Sequence, residues 1–333
     1  MKITNSLLNT ADTCQRKAAF KYIAGIDSTE KHEALNIGSA FHYAMQFYNG
    51  VDGLEEIVSS MDSKFFMEDE LLNPEEKKDK IQNLAKLCAM TIATTRYMSG
   101  ALGIDLSLVK REVVVDTEIK NDKNYFDLNY NAVLDGVEIT KSGSMIIEYK
   151  TTSRIDQTYL DKFKFNSQVV RYYKSYKLSH PDETINGVMI VVALKSLKRI
   201  KKGQTPEDFA NEMIAEYSDP EKNMIQSVYI SAKEIEATSE YKNCEKFMIH
   251  QAYRYYEAIS LCEDLQIDID KYGDAIPIRL RARKICESVA GNTSQCDGIF
   301  KCKYFNICKS GGDILSENEY RISEIFEELD KGV

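Results

Sequence analysis

The octapeptide Gly187–Leu194, GVMIVVAL, leaves this chain little freedom. A Val- and Ile-rich run without a polar face to turn to water reads as a buried strand. Such a strand needs partners, and the preceding sequence supplies them. Val109 to Ile119 and Tyr125 to Leu134 are rich in β-branched and aromatic residues, and Ser144 to Thr151 contains the strand-like MIIEYK. Lys141-Ser142-Gly143-Ser144 is a turn between the last two. Tyr159 to Leu178 reads as a helix, so the middle of the chain runs strand, strand, strand, helix, strand. The expected class is α/β.

On either side the pattern is helical. Asn73-Pro74-Glu75-Glu76 combines an N-cap, a first-turn proline and acids at the positive end of the dipole. The helix it opens runs to about Met98, with Ile81, Leu84, Leu87 and Cys88 at helical spacing. After the buried strand comes a charged insertion with a short helix opened by Thr205-Pro206-Glu207-Asp208. A strand near Ser227 to Ile230 then leads into a helix from about Ala232 to Leu261. The last stretch is cysteine-rich, breaks at Gly311-Gly312, and ends in an acidic helix with Ile322, Ile325, Phe326 and Leu329 on one face. The expected organisation is a helical N-terminal region over 1–105, a core over 106–265 with an insertion at about 196–226, a cysteine segment over 266–312, and the final helix over 313–333.

Charge and cysteine usage bound the function. A net charge of −9 argues mildly against phosphate binding, which runs on Lys and Arg. Local strips can outweigh the sum, and Lys195 to Lys202 and Arg279 to Lys284 are the candidates, each equally readable as a solvated face. No apolar run reaches the length of a membrane span, and MKITNSLLNTADTCQRK lacks a sustained apolar region, so a cytoplasmic address is expected. Eight cysteines there are not a disulfide framework.

The informative spacing is Asp135, then Glu148-Tyr149-Lys150, thirteen positions later. Side chains alternate along a strand, so Glu148 and Lys150 share a face and Tyr149 points away. Pairing of the two strands as a hairpin brings Asp135 beside Glu148. Adjacent carboxylates repel unless a divalent cation lies between them. Such a cation polarises a phosphodiester, and Lys150 is placed to neutralise charge developing on it. Glu-x-Lys also occurs at Glu75, Glu76, Glu118 and Glu240, so the tripeptide alone carries nothing. Two neighbours add weight. His42, in Gly38-Ser39-Ala40-Phe41-His42, lies on a helix whose Phe41 and Met45 face inward. Gln168 and Tyr172 are four apart on the next helix and share a face, flanked by Lys164 and Arg171. Taken alone, His42 reads as a structural histidine and the helix as ordinarily amphipathic.

The order of Cys14, Gly38…His42, Asp135, Glu148-Tyr149-Lys150, Gln168…Tyr172 and three C-terminal cysteines resembles the RecB-like branch of the PD-(D/E)XK nucleases, over about residues 6 to 310. That branch includes iron–sulfur members in helicase–nuclease subunits, CRISPR adaptation nucleases and phage exonucleases. The resemblance implies a restriction-endonuclease-like core, a mixed sheet flanked by helices. It implies His42, Asp135 and Glu148 as ligands of Mg²⁺ or Mn²⁺ with the carbonyl of Tyr149, Lys150 as the catalytic lysine, and Gln168 and Tyr172 as substrate-positioning. It further implies a DNA exonuclease acting on single strands or duplex ends in a bacterial or phage-infected cell, with a helicase or recombination partner or an oligomer in view. The sequence departs from the pattern at Gln15, where many members have proline. There is no Walker-type phosphate loop, hence no helicase of its own.

Cys296, Cys302 and Cys308 fall within thirteen residues, a clustering that favours metal ligation. The resemblance makes Cys14 the fourth ligand and the group a [4Fe–4S] cluster. By spacing alone Cys286 is a rival and Zn²⁺ fits as well. Cys244 and Cys262 read as packing. Two other functions stay open: a non-catalytic DNA-binding or scaffold subunit of a repair or recombination complex, and a nuclease directed at RNA.

Overall fold

The computed structural model describes residues 3–28, 33–48, 58–59, 62, 72–120, 127–272, 276–292, 296, 302–312 and 320–322. The chain forms two compact units, each assembled from separate stretches. One comprises His32–Val113 and Leu134–Tyr241; the other comprises Met1–Lys31, Val114–Val133 and Lys242–Val333. No helix among the described residues is long and apolar enough to cross a membrane.

In chain order the described elements are β1 (Ile3–Thr4), α1 (Asn5–Thr13), α2 (Gln15–Tyr22), β2 (Ile26–Ser28), α3 (Glu33–Phe47), α4 (Pro74–Gly100), β3 (Val109–Ile119), β4 (Leu128–Thr140) and β5 (Gly143–Thr152). They continue with α5 (Gln157–Asp161), α6 (Ser167–Ser179), β6 (Ile185–Leu194), α7 (Pro206–Ser218), β7 (Ile225–Ser231), α8 (Ala232–Ala237), α9 (Ser239–Leu261), α10 (Glu263–Tyr272), α11 (Ile278–Ser288), α12 (Phe305–Lys309) and β8 (Tyr320–Ile322). The central sheet is mixed and flanked by helices, as a restriction-endonuclease-like fold requires.

In the unit holding residues 134–241, β4 and β5 form an antiparallel hairpin with Gly136 opposite Ile147 and Thr140 opposite Gly143. The hairpin turns at Gly143, whose φ is +128° and where a Cβ would lie 2.6 Å from the Thr184 carbonyl oxygen. Only glycine fits there. Strand β6 runs parallel to β5, with Glu148 opposite Ile190 and Lys150 opposite Val192, and β7 closes the set antiparallel to β6. The GVMIVVAL run is thus an interior strand paired on both edges. Ile147, Tyr149, Val191 and Ala193 present one sheet face to a core shared with Phe41 and Met45 of α3, Leu87 and Met90 of α4, and Phe209 and Met213 of α7. Helix α4 begins at the expected N-cap, where Asn73 and Glu76 form a capping box by closing on each other's backbone N–H groups, and α7 begins with the same device at Thr205 and Asp208. Ile81, however, is 40% exposed and does not join the apolar stripe.

In the other unit, β1 lies parallel to the start of β4, with Ile3 opposite Tyr130, and β2 pairs antiparallel with β8. Leu7, Leu8, Phe20, Tyr255, Ile285, Tyr304 and Ile307 are buried there. Side chains tie its segments together through backbone carbonyls. Tyr255 donates to Tyr22 at 2.9 Å, Tyr304 to Ile26 at 2.8 Å, and the buried Arg281 to Ala24 at 2.9 Å.

Four expectations need correction. The helix expected from Tyr159 to Leu178 is broken, because Asn166 leaves helical geometry and its Oδ1 accepts the N–H groups of Gln168 and Val169, starting a new helix. The helix expected from Ala232 to Leu261 breaks at Thr238 in the same way, its hydroxyl accepting the Tyr241 N–H at 3.1 Å. The strand expected from Tyr125 to Leu134 runs on to Thr140, so Asp135 lies within β4 and not beyond its end. Finally, Ile322 lies on β8 and not on an amphipathic helix; Ile325, Phe326 and Leu329 lie outside the described residues. A three-residue strand leaves no period to read, and it exists because β2 offers an edge.

Candidate active site

The hairpin register decides where the acids meet. Continued one step beyond Gly136–Ile147, it sets Asp135 opposite Glu148. Asp135 Oδ2 accepts the backbone N–H of Tyr149 at 2.7 Å. Its other oxygen, Oδ1, lies 3.0 Å from Nδ1 of His42, which α3 brings from 93 positions away. Phe41 and Met45 anchor that helix in the core, leaving the imidazole partly exposed. The Tyr149 ring is buried beside Phe41 and His42, and only its backbone belongs to the site.

On β5 the Lys150 ammonium donates to Glu148 Oε1. Helix α6 completes the group, its start fixed by the Asn166 cap. The Gln168 Oε1 accepts from Lys150 at 3.1 Å, while its Nε2 donates to Glu148 Oε1 at 3.0 Å and to Tyr172 Oη at 2.9 Å. Gln168 therefore ties acid, ammonium and phenol into one network. Glu148 is 3% exposed, and its Oε2 is buried without a hydrogen-bond partner. Leaving a carboxylate oxygen so costs free energy unless a cation takes it.

Electrostatics separates the two acids. Burial, reinforced by the charge of Asp135, pushes Glu148 up to about 7 against the opposing pull of Lys150. Burial acts on Asp135 too, but the charge and hydrogen bond of His42, then Lys150 and the Tyr149 N–H, hold it below the usual carboxylate range. His42 is raised: burial opposes its charge, and Asp135 outweighs burial. Lys150 is likewise raised, burial being overcome by Glu148. Neighbouring groups driven apart in pKa are a mark of acid–base sites.

The donor set suits a hard divalent cation: two carboxylates, one with a bare buried oxygen, and an imidazole. Among the described residues, no three His, Cys, Asp or Glu side chains stand in metal-holding geometry. Each acid is instead neutralised by its own partner, Asp135 by His42 and Glu148 by Lys150.

The sequence reading missed three groups here. Asn166 positions Gln168, and its signal was an N-cap residue ahead of Ser-Gln, hidden inside a continuous apolar period. Tyr159 lies close enough to Lys150 to raise its pKa. Arg111 donates to the Gln46 carbonyl at 3.2 Å near the end of α3. Of the flanking cations, Lys164 is exposed and paired with Asp161, but Arg171 is buried and is no rim residue.

Both basic strips are partly neutralised, although Arg199 and Lys202 of the first stay exposed. Lys198 pairs with Glu212 and Glu216, and Lys201 with Glu212. In the other strip, Arg281 is buried, Lys284 pairs with Asp268 and Arg283 with Glu287.

Cysteines gather in the unit holding residues 242–333. Cys14 sits between α1 and α2 and accepts the Asn292 N–H at 3.4 Å, while Cys296 Sγ lies 3.7 Å from the Asn292 carbonyl oxygen. Burial, then the neighbouring Cys286 thiol, pushes Cys308 up to about 12, with Arg16 opposing. Cys286 Sγ lies 3.8 Å from the Ile307 carbonyl oxygen. The thiols are of the right chemical type for a cluster and occupy one neighbourhood, but they are not in ligating geometry. Cys244 and Cys262 are buried in helical packing.

The chain matches a known family. Residues 2–263 fit the model of the PD-(D/E)XK nuclease superfamily, a span that takes in His42, Asp135, Glu148, Lys150, Gln168 and Tyr172. No curated protein matches the chain.

Proposed function

The chain belongs to the PD-(D/E)XK nuclease superfamily, whose members are phosphodiester-hydrolysing and typically use Mg²⁺ or Mn²⁺, and from that premise we propose that it is a DNA exonuclease acting on single strands or duplex ends. The observation that carries the catalytic reading is Glu148: a buried carboxylate with one bare oxygen, held by Lys150 and Gln168 and opposite Asp135. Asp135, Glu148 and His42, with the Tyr149 carbonyl, would hold the cation. When bound, it supplies Lewis-acid polarisation of the phosphodiester. Lys150 neutralises charge developing on the phosphate, and Gln168 keeps the ammonium on the Glu148 side of the site. Tyr172, bonded to Gln168, orients the strand. Preference for ends rests on the RecB-like order of motifs, as does a helicase or recombination partner; a cytoplasmic setting rests on the N-terminal residues, which lack a sustained apolar region.

The test uses end-labelled single-stranded and duplex DNA, a covalently closed circle and an RNA of the same sequence, each with Mg²⁺, Mn²⁺ or chelator. Linear DNA should be degraded, the circle should persist, and chelator should stop the reaction. Binding of DNA without cleavage in either metal would sink the catalytic reading and favour a scaffold role. Cleavage of circles would remove the requirement for ends.

We also propose that Cys14, Cys296, Cys302 and Cys308 hold a [4Fe–4S] cluster, supported by the shared neighbourhood of these thiols and by the resemblance. Anaerobically purified protein should be brown and contain iron and acid-labile sulfide; a colourless protein with stoichiometric zinc would overturn this. Loss of iron from Cys14→Ser but not from Cys286→Ser is the expected outcome, and the reverse would make Cys286 the ligand.

A further inference from the structure

The connection from Lys150 to Gln168 is bounded at both ends by residues of the proposed active site, so it borders that site. It carries a slight positive excess in an acidic chain. Arg154, Lys162 and Lys164 stand against Asp156 and Asp161, a net of +1 in a protein of −9. Aromatic residues alternate with the cations: Tyr159, Phe163 and Phe165. Two of these have intramolecular roles. The Tyr159 ring packs edge-on against Phe163 at 5.4 Å, and Lys162 covers Tyr159 at 5.4 Å. Phe163 is buried, and Tyr159 lies near Lys150.

Phe165 differs. It is 66% exposed, although it adjoins a well-formed helix start and a buried neighbour two positions earlier was available to the core. Isolated exposed apolar residues are common on protein surfaces, so exposure alone decides nothing. Position does. Phe165 immediately precedes Asn166, the cap that fixes α6, and stands three residues before Gln168, which touches both Glu148 and Lys150. Three residues span at most about 10 Å, the length of roughly three stacked nucleotides at about 3.4 Å each. Arg154 and Lys164 lie exposed on the same connection, each paired with one of its acids, Asp156 and Asp161.

We propose that Phe165 is a stacking platform for an unpaired base of the DNA strand whose phosphate lies at Lys150 and Gln168. The inference rests on the nuclease reading and deepens it, because a paired base within a duplex has no free face to offer. Stacking on an aromatic side chain tolerates any base, which suits degradation without sequence preference.

The test uses the full chain, a fluorescent single-stranded oligonucleotide, and versions carrying one abasic nucleotide at successive positions from the end. Cleavage is followed in Mg²⁺, and binding by anisotropy in Ca²⁺. Phe165→Ala should raise KM and Kd for the single strand roughly 5- to 150-fold, with kcat within about threefold of wild type. Phe165→Trp should restore binding, and Phe165→Leu should not. An abasic nucleotide at one position should weaken wild-type binding by a similar factor and leave Phe165→Ala unaffected. Wild-type cleavage with unchanged KM in Phe165→Ala, or equal abasic penalties in both proteins, would overturn the stacking role alone. Base-dependent binding through Phe165 with no cleavage would sustain it while removing the nuclease reading. Neither binding nor cleavage would remove both.

Discussion

Lys150→Ala is expected to lower kcat for phosphodiester cleavage by about a hundred- to a thousand-fold, the loss typical when one preorganised charge-stabilising donor is removed from a dry site. The expectation follows from placement. Lys150 follows Glu148 by two residues on a strand, shares its face, and is fixed by Gln168 at 3.1 Å. No rotamer search remains at the moment of reaction. KM should change less than kcat, because charge on the phosphate grows during attack and the interaction strengthens then. A second signature separates this role from mere support of the fold. Lys150 opposes the upward shift of Glu148, so its removal drives that carboxyl further up. The acidic limb of the residual rate should therefore move to higher pH, while circular dichroism stays unchanged. Undiminished cleavage by the purified variant would exclude Lys150 from the chemistry.

Glu148→Gln should abolish activity and yet stabilise the metal-free protein above neutral pH. The sign follows from linkage. Glu148 titrates at about 7 in the fold against 4.5 for an ordinary glutamate, with burial as the main cause. Below 4.5 both folded and unfolded chains hold the proton and no penalty exists. As pH rises from 4.5 to 7 the unfolded chain releases its proton first, so the folded state loses stability progressively, and the loss is complete above 7. At 1.36 kcal/mol per pKa unit this approaches about 3 kcal/mol. The amide introduced by Glu148→Gln escapes the loss but gives up the charge that steadies Lys150, so a net gain of about 1–2 kcal/mol is expected at pH 8. Chelator-treated wild type and variant should melt alike near pH 4.5 and diverge through pH 7. Added Mn²⁺ should reverse the order, since a ligand at a hundred times its Kd contributes about 2.7 kcal/mol to the protein that binds it. A variant less stable than wild type at pH 8 without metal would show that Glu148 is not held at an electrostatic cost.

Much of this was decided locally. The β-branched runs, the Gly143 turn and the helix starts at Asn73 and Thr205 act through near neighbours, so strands β3, β5, β6 and β7 and helices α4 and α7 could be placed from their residues, and β4 in its first half. Alternation along β5 put Glu148 and Lys150 on one face, and the hairpin length put Asp135 opposite. The i, i+4 spacing on α6 put Gln168 and Tyr172 together. Each of these is a relation between residues a turn or a hairpin apart.

What the sequence could not decide is where long-range partners fall. Strands β1, β2 and β8 are two or three residues long and exist through the edges they meet, so no period announces them. Helix breaks at Asn166 and Thr238 were masked because the apolar rhythm runs through them, while a single side chain competing for backbone N–H groups sets the new start. Arg281 looked like surface charge and is a buried tie to Ala24, because a guanidinium reaches carbonyls that only packing brings close. The residues of the site were written in the chain. The 3.0 Å approach of His42 to Asp135, and the bare oxygen left on Glu148, were set by helix α3 docking into the core beside β5, a contact no local pattern encodes.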